Sequence, residues 1–162
     1  EDLDALEAAS KTIAVLHASN FSVGVTLLAH LVDLASRATS PDFDIEVFEA
    51  HHRNKVDAPG GTALMLGRVA AAARDLDLES VGEFSRHGHT GARSADEIGF
   101  QVVRGGSVVG EHTVFFLGDG ERLELTHRAT DREIFARGAL RAAAWIAGKP
   151  AGEYSMNDIL FK

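Results

Sequence analysis

The spacing of apolar residues predicts a helix, a strand and a second helix in the first part of the chain. Leu3 and Leu6 share one face of a helix, and the mostly apolar run at residues 11–16 is typical of a buried strand. Over residues 23–38 the apolar positions again recur at helical spacing, and Ser22 stands where an N-cap is expected. This order of elements indicates an α/β segment.

Alternation replaces helical spacing after Pro41. Residues 43–48 alternate between apolar and mostly polar side chains, which predicts a half-buried strand. The segment 53–62 contains Pro-Gly-Gly, which is typical of a loop. It leads into an alanine-rich helix that we predict at residues 63–76, with Thr62 as its cap.

The second half of the chain predicts a long loop, three strands and a helix. Residues 84–95 combine glycines, histidines and arginines without an apolar period, so we expect an exposed loop. Gly105-Gly106 is a two-residue hairpin signal, and we therefore predict an antiparallel meander. Its strands are expected at residues 98–104, 107–117 and 121–128. A helix that Thr130 or Asp131 could cap should follow and end near Gly148-Lys149-Pro150, before a tail to which no element is assigned.

These elements predict an α+β fold in two parts. Residues 41–128 should form a mixed, largely antiparallel open sheet with flanking helices. Residues 1–40 and 129–162 should be two pieces of α/β chain that pack together. The chain begins with an acidic segment in the middle of a predicted helix, so we expect that an N-terminal part of the protein precedes it.

Composition narrows the possible functions. The 162 residues carry a net charge of -8, which disfavours nucleic acid as a partner. No apolar run approaches the roughly 20 residues of a membrane span, and we expect no membrane partner. The chain has 0 cysteines, which excludes disulfides and thiolate chemistry and favours a cytoplasmic location.

The densest group of reactive side chains lies between residues 49 and 62, where a predicted strand leads into a predicted helix. A helix N-terminus presents unpaired amides that suit a carboxylate or phosphate. His51 and Lys55 lie in this segment, and a histidine with a lysine can donate protons to a developing anion. The structural alternative is that the histidines end a strand and that Pro-Gly-Gly is turn chemistry.

Other side chains allow weaker hypotheses. Histidines could bind a metal, but their spacing matches no histidine motif on a helix, and we predict no metal site; the candidates are His51, His52, His87, His89, His112 and His127. We interpret His112 and His127 as sheet-face residues that make hydrogen bonds. Arg86, Arg93 and Arg104 could line an anion site, although solvated surface charge is the more frequent explanation. The nearest match to a dinucleotide fingerprint is the glycine-rich stretch at residues 105–110, which lies between two predicted strands and opens no helix, so we expect no phosphate-binding βα turn.

The segment His51-His52-Arg53-Asn54-Lys55-Val56-Asp57-Ala58-Pro59-Gly60-Gly61-Thr62-Ala63 closely resembles the signature H-H-x-x-K-x-D-A-P-S-G-T-A of the dihydrodipicolinate reductases. Three further stretches resemble the same family in the same order, and they begin at Asn20, Ser85 and Gly110. Two departures are Gly60, where the family usually has serine, and Thr26, where asparagine is common. Gly60 puts one hydroxyl contact to the ligand in question.

The resemblance implies hydride transfer from NADPH or NADH to 4-hydroxy-tetrahydrodipicolinate, a step of lysine and diaminopimelate biosynthesis. It implies that residues 41–128 bind the substrate and form a homotetramer, and that the two ends are remnants of a Rossmann-type domain and its hinges. The main nucleotide-binding half would be absent, so we expect no turnover by this chain alone. The alternative is a self-associating β module that binds a small dicarboxylate without catalysis.

Site roles follow from the same resemblance, residue by residue. His51 is similar to the family's proton donor or acceptor, and Lys55 is similar to its proton donor. Substrate-binding positions are matched by His52, Gly61 and Thr62. Cofactor-binding positions on the nicotinamide side are matched by Ala18, Ser19, Asn20 and Phe21, and by Arg132 at the hinge.

Overall fold

The computed structural model describes residues 2–161 and divides the chain into two compact units. The first unit contains the residues up to Thr26 together with those from Arg132 onward, and the second contains Leu27–Asp131. The helices are α1 (Asp2–Ser10), α2 (Val23–Ala38), α3 (Gly61–Ala72), α4 (Leu78–Val81), α5 (Glu133–Ile146) and α6 (Met156–Phe161). The strands are β1 (Ala14–Leu16), β2 (Asp44–His51), β3 (Gly82–Glu83), β4 (Ile98–Arg104), β5 (Gly110–Gly118), β6 (Glu121–Ala129) and β7 (Gly152–Tyr154).

The second unit is a mixed five-stranded sheet in the order β3-β4-β2-β5-β6, with helices packed on one face. Ile45 and Val47 of β2 are fully buried, as their alternation predicts, and lie in one core with Leu66 of α3. Leu28 and Val32 of α2 belong to the same core. The unit therefore begins at Leu27 rather than at residue 41, because this part of α2 packs with the sheet.

The predicted hairpin at Gly105-Gly106 is wrong. β4 does not pair with β5, because β2 lies between them, parallel to β4 and antiparallel to β5. The connection passes the end of β2, where the Gly105 N–H donates to the His51 carbonyl (3.0 Å) and the Arg53 N–H donates to the Gly106 carbonyl (3.3 Å). Of the predicted meander, only the antiparallel β5–β6 pair is present.

The first unit contains a two-stranded parallel sheet of β1 and β7, together with α1, α5 and α6. The Val25 N–H donates to Ser22 Oγ (3.2 Å), which confirms Ser22 as the cap of α2. Gly138 of α5 allows a close approach of the loop after β1, since a β-carbon there would lie 1.8 Å from the Phe21 carbonyl oxygen. The tail contains β7 and α6, which the sequence pattern did not predict.

Candidate functional site

The inner face of the sheet changes from apolar to polar at the carboxyl end of β2. Ile45, Val47, Glu49 and His51 alternate onto one face, and the first two lie in the apolar core. Polar residues on the neighbouring strands lie opposite these two. Glu49 is opposite His112 of β5, His112 is opposite His127 of β6, and His51 is opposite Arg104 of β4. A cluster of ionisable groups therefore covers this end of the sheet.

Glu49 is the centre of this cluster. It is fully buried, and both of its carboxylate oxygens accept hydrogen bonds. Arg104 donates through Nη1 (2.7 Å) and Nη2 (2.6 Å), and the Gly60 N–H donates from the loop before α3 (2.9 Å). His51 Nδ1 contacts Oε2 of the same carboxylate. One side chain thus joins β2, β4 and the N-terminus of α3.

The electrostatics of the cluster keep Glu49 ionised. Burial raises the pKa of Glu49, but the hydrogen bonds from Arg104, the Gly60 amide and His51 lower it more, and the pKa lies below its usual value. The hydrogen bond to Glu49 raises the pKa of Arg104. Because the ionised carboxylate can only accept, a hydrogen bond between His51 Nδ1 and Glu49 requires a proton on Nδ1.

His112 is a buried neutral neighbour of this group. Burial, with a smaller contribution from His51, lowers its pKa to about 4. Its ring packs edge-on against the His51 ring, with a centroid distance of 5.1 Å. The expectation that His112 makes hydrogen bonds is wrong, since neither ring nitrogen has such a partner among the residues that the structure describes. Burial also lowers the pKa of His127.

Lys55 reaches the same place from the loop between β2 and α3. Its Nζ donates to the Asp57 carboxylate (2.7 and 2.9 Å), and its side chain lies on Gly60. A β-carbon at Gly60 would lie 2.7 Å from Lys55 Cε and 3.6 Å from Glu49 Oε1. A residue without a side chain at position 60 therefore leaves room for the lysine above the buried carboxylate.

Helix α3 begins at Gly61, two residues earlier than predicted. The N-cap is Gly60, which is extended and makes no side-chain cap, so the prediction of Thr62 as the cap is wrong. The Gly60 amide is held by Glu49, and its carbonyl accepts from the Leu64 N–H (3.1 Å) in the first turn. The amides of Gly61 and Thr62 lie in that turn, at the positive end of the helix dipole, which suits an anion.

The residues with predicted cofactor roles lie in the other unit. Ala18 and Phe21 pack against the small core of α5 and α6, and Asn20 Oδ1 accepts from the Ser22 N–H (2.7 Å). Arg132 is exposed at the N-cap of α5. The structure thus brings His51, Lys55, Gly61 and Thr62 to one end of the second unit, with the half-buried His52 next to His51 in the chain, and places the residues with predicted cofactor roles in the first.

Neither a metal cluster nor a membrane-spanning helix occurs in the described part of the chain. Within residues 2–161, no group of three or more histidine, aspartate or glutamate side chains is arranged to hold a metal ion. His87 and His89 lie on the exposed loop between β3 and β4. Over the same residues, no helix has the length and apolar character that a membrane span requires.

Sequence reasoning missed three members of the cluster. Glu49 stands two residues after Val47 on the buried face of β2. A carboxylate at a position where the alternation predicts an apolar residue could have identified it. Arg104, interpreted as surface charge, is instead bound to a buried carboxylate. His112 is in phase with Val114 and Phe116, which marks it as an inner-face residue.

Comparison with known proteins assigns most of the chain to the family that its sequence motifs resemble. A sequence profile described as "Dihydrodipicolinate reductase, C-terminus" matches residues 24–160. The chain belongs to the dihydrodipicolinate reductase family. Proteins named 4-hydroxy-tetrahydrodipicolinate reductase are 55% identical over 155 residues in Pseudomonas fluorescens and 56% identical over 160 residues in Methylocella silvestris. These alignments cover 96% and 99% of this chain but 58% and 59% of the relatives.

A solved structure shares the fold of this chain. It is described as dipicolinate-bound dihydrodipicolinate reductase from Paenisporosarcina sp. TG-14. The TM-score is 0.70 at 22% identity, over 95% of this chain and 57% of that one. The chain therefore spans less than two thirds of the length of the proteins that it matches.

Proposed function

We propose that this chain is the substrate-binding and assembly part of a 4-hydroxy-tetrahydrodipicolinate reductase of lysine and diaminopimelate biosynthesis. The observation that carries the proposal is the junction at Gly60. There Lys55 and the N-terminus of α3 meet the buried carboxylate of Glu49, which also holds His51. The names of the relatives support the same activity.

The substrate is a small cyclic dicarboxylate, and the start of α3 suits one of its carboxylates. The amides of Gly61 and Thr62 and the Thr62 hydroxyl provide donors, and the positive end of the helix adds a favourable field. Lys55 adds a full positive charge, and its side chain is only 20% exposed. Dipicolinate, the ligand of the structural neighbour, belongs to the same chemical class.

The reaction adds one hydride and one proton to the substrate and releases one water. NADPH or NADH supplies the hydride when it is bound. Negative charge then develops at the ring carbon next to the hydride acceptor, where a proton must arrive. His51 and Lys55 supply that proton and the compensating positive charge.

The residues of the first unit fit part of a nucleotide site. The loop at residues 17–22 follows the carboxyl end of β1, which is parallel to β7, and ligands of parallel sheets lie at such ends. Ala18, Ser19, Asn20 and Phe21, with Arg132, would contact the nicotinamide side. This loop has no glycine-rich turn for a pyrophosphate, so we propose that the chain alone does not turn over.

We also propose that the second unit assembles as a homotetramer. Its helices pack on the inner face of the sheet, and the outer face carries half-buried Phe48, Phe115 and Leu117 beside exposed Val103. Apolar residues grouped in this way favour a protein partner. The alternative of a self-associating dicarboxylate-binding module shares the site and the assembly and differs in having no catalysis.

Calorimetric titration of the chain with pyridine-2,6-dicarboxylate tests the substrate site. We expect saturable binding that Lys55→Ala weakens by about ten- to a hundredfold, since hydrogen bonds to charged groups contribute that much. Arg53→Ala is the matched control because it removes the same charge from an exposed position of the same loop. Absence of binding at millimolar ligand, or equal weakening by both variants, would contradict the proposal.

A further inference from the structure

We propose that Glu49 is a positioning residue that holds His51 in its Nδ1–H tautomer, so that Nε2 is the nitrogen that exchanges a proton with the substrate. This inference rests on the proposed function, because it assigns a role to the side chain behind the proton-transferring histidine. In this role Glu49 acts through His51 rather than by contact with the ligand.

The Glu49 carboxylate is saturated with hydrogen-bond partners. Oε1 accepts from the Gly60 N–H and from Arg104 Nη2, while Oε2 accepts from Arg104 Nη1 and contacts His51 Nδ1. Gly60 and Arg104 have only donors to offer in these contacts, whereas an imidazole nitrogen can donate or accept. The protonation of His51 Nδ1 is therefore dictated by the acceptor in front of it.

The His51 ring has a fixed orientation. Nδ1 is held by Glu49 from within the same strand, and the ring lies edge-on to His112 at an interplanar angle of 72°. Gly110 lies beside the opposite nitrogen, where a β-carbon would be 3.0 Å from Nε2. Any side chain at position 110 would therefore crowd Nε2, and glycine avoids this contact.

Stability alone is not a sufficient reason for this arrangement. Arg104 and Glu49 would already form a compensated ion pair, and buried ion pairs are weak sources of stability compared with apolar packing. The additional bonds to His51 and to the Gly60 amide couple the carboxylate to the two parts of the proposed site. A carboxylate in this position arranges the site before the ligand arrives.

In Glu49→Gln we expect His51 to adopt the opposite tautomer. Two fixed donors, the Gly60 N–H and Arg104 Nη2, face the Oε1 position, so the carbonyl oxygen of the introduced carboxamide should take it. The amide NH₂ would then take the Oε2 position, which faces only one fixed donor, Arg104 Nη1, and it would donate to His51 Nδ1. His51 should shift to the Nε2–H tautomer, with a change in the tautomer ratio of at least about tenfold, the contribution of one such hydrogen bond.

Histidine ¹⁵N chemical shifts, measured on the whole chain at a pH where the ring is neutral, report the tautomer directly. Glu46→Gln is the matched control, since Glu46 lies on the same strand but on the opposite face and accepts hydrogen bonds from Arg86 (2.9 and 2.7 Å) and Gln101 (2.7 Å). We expect Nδ1–H in the parent and in Glu46→Gln, and Nε2–H in Glu49→Gln. A purely structural role for Glu49 would not change the tautomer.

The parent protein alone keeps the inference testable if Glu49→Gln does not fold. An Nε2–H tautomer of His51 in the parent would overturn the proposal without any variant, and so would an unchanged tautomer in a folded Glu49→Gln. Titration of the same samples with pyridine-2,6-dicarboxylate separates the two proposals. A parent with Nδ1–H that binds and shifts the His51 signals supports both. A parent with Nδ1–H that does not bind overturns the substrate site and, with it, the role in proton transfer.

Discussion

Removal of the Arg104 guanidinium should leave the charge of Glu49 without its main partner in the interior. The Glu49 side chain is 1% exposed and that of Arg104 is 19% exposed, so solvent screens the pair poorly. Breaking a buried ion pair by removing one partner costs about 3–5 kcal/mol. Because Glu49 keeps the Gly60 amide and His51 as partners, we expect Arg104→Ala to lower the free energy of unfolding by about 3 kcal/mol at pH 7.

The destabilisation caused by Arg104→Ala should become smaller as the pH falls. In the parent, burial raises the pKa of Glu49, but the hydrogen bonds from Arg104, Gly60 and His51 lower it more. Its contribution to stability is therefore present above the unfolded pKa of about 4.3 and is lost as the pH falls through the folded pKa. In Arg104→Ala the pKa of Glu49 should rise, so protonation relieves the buried charge. The difference in stability between the two proteins should shrink from pH 7 to pH 4.

Urea denaturation followed by circular dichroism, at one protein concentration and at several pH values, measures both quantities. Arg86→Ala is the matched control, because Arg86 pairs with Glu46 on the opposite face of β2 and is 33% exposed. We expect it to cost about 1 kcal/mol or less. A cost below about 1 kcal/mol for Arg104→Ala at pH 7, or a cost independent of pH, would refute the description of Glu49 as a buried charge that Arg104 compensates.

The remaining predictions concern turnover, packing, the nucleotide and assembly. In a full-length reductase that contains this sequence, His51→Ala and Lys55→Ala should lower kcat by about a hundred- to ten-thousandfold, whereas Thr62→Ala should mainly raise KM; a change in kcat below about threefold for both would contradict their roles. Gly138→Ala should lower the stability of the first unit by about 1–3 kcal/mol, because its β-carbon would meet the Phe21 carbonyl at 1.8 Å. Fluorescence of the single tryptophan monitors this unit, and unchanged unfolding would refute the contact. Calorimetry with NADPH should detect no binding to this chain, and a micromolar dissociation constant would reveal a nucleotide site. Light scattering should give four times the chain mass of 17.3 kDa, and a stable monomer at micromolar concentration would exclude the tetramer.

Local patterns predicted the elements whose stability is local or whose burial is regular. The α2 and β4 segments begin and end at the predicted residues, because helical spacing and alternation are properties of the segment itself. The tail was different, since β7 has three residues and depends on pairing with β1 far away in the chain. The start of α3 was also displaced, because a distant carboxylate, Glu49, holds the amide of the capping residue.

The same distinction separates the predicted and the missed parts of the site. His51, Lys55 and the glycines are contiguous in one segment, so residue types and turn chemistry were enough to select them. In the sequence, Glu49 is recognisable only as a charged residue at a position where the alternation of β2 predicts an apolar one. The pattern does not show which groups compensate the charge of a buried carboxylate. His112 required the register of an antiparallel pair, which places it opposite Glu49.

Arg104 shows why the topology error and the missed site residue have one cause. Had β4 and β5 formed the predicted hairpin, β2 could not lie between them, and the end of β4 would not lie beside His51. The parallel pairing with β2 sets Arg104 opposite His51 and brings its guanidinium to the Glu49 carboxylate. Parallel pairs are joined by long crossovers, so no short turn in the sequence reports them. Gly105-Gly106 indicates only that the chain turns there. The strand beside Arg104 is β2, and its position is set by its hydrophobic face, which buries Ile45 and Val47 between the two neighbouring strands.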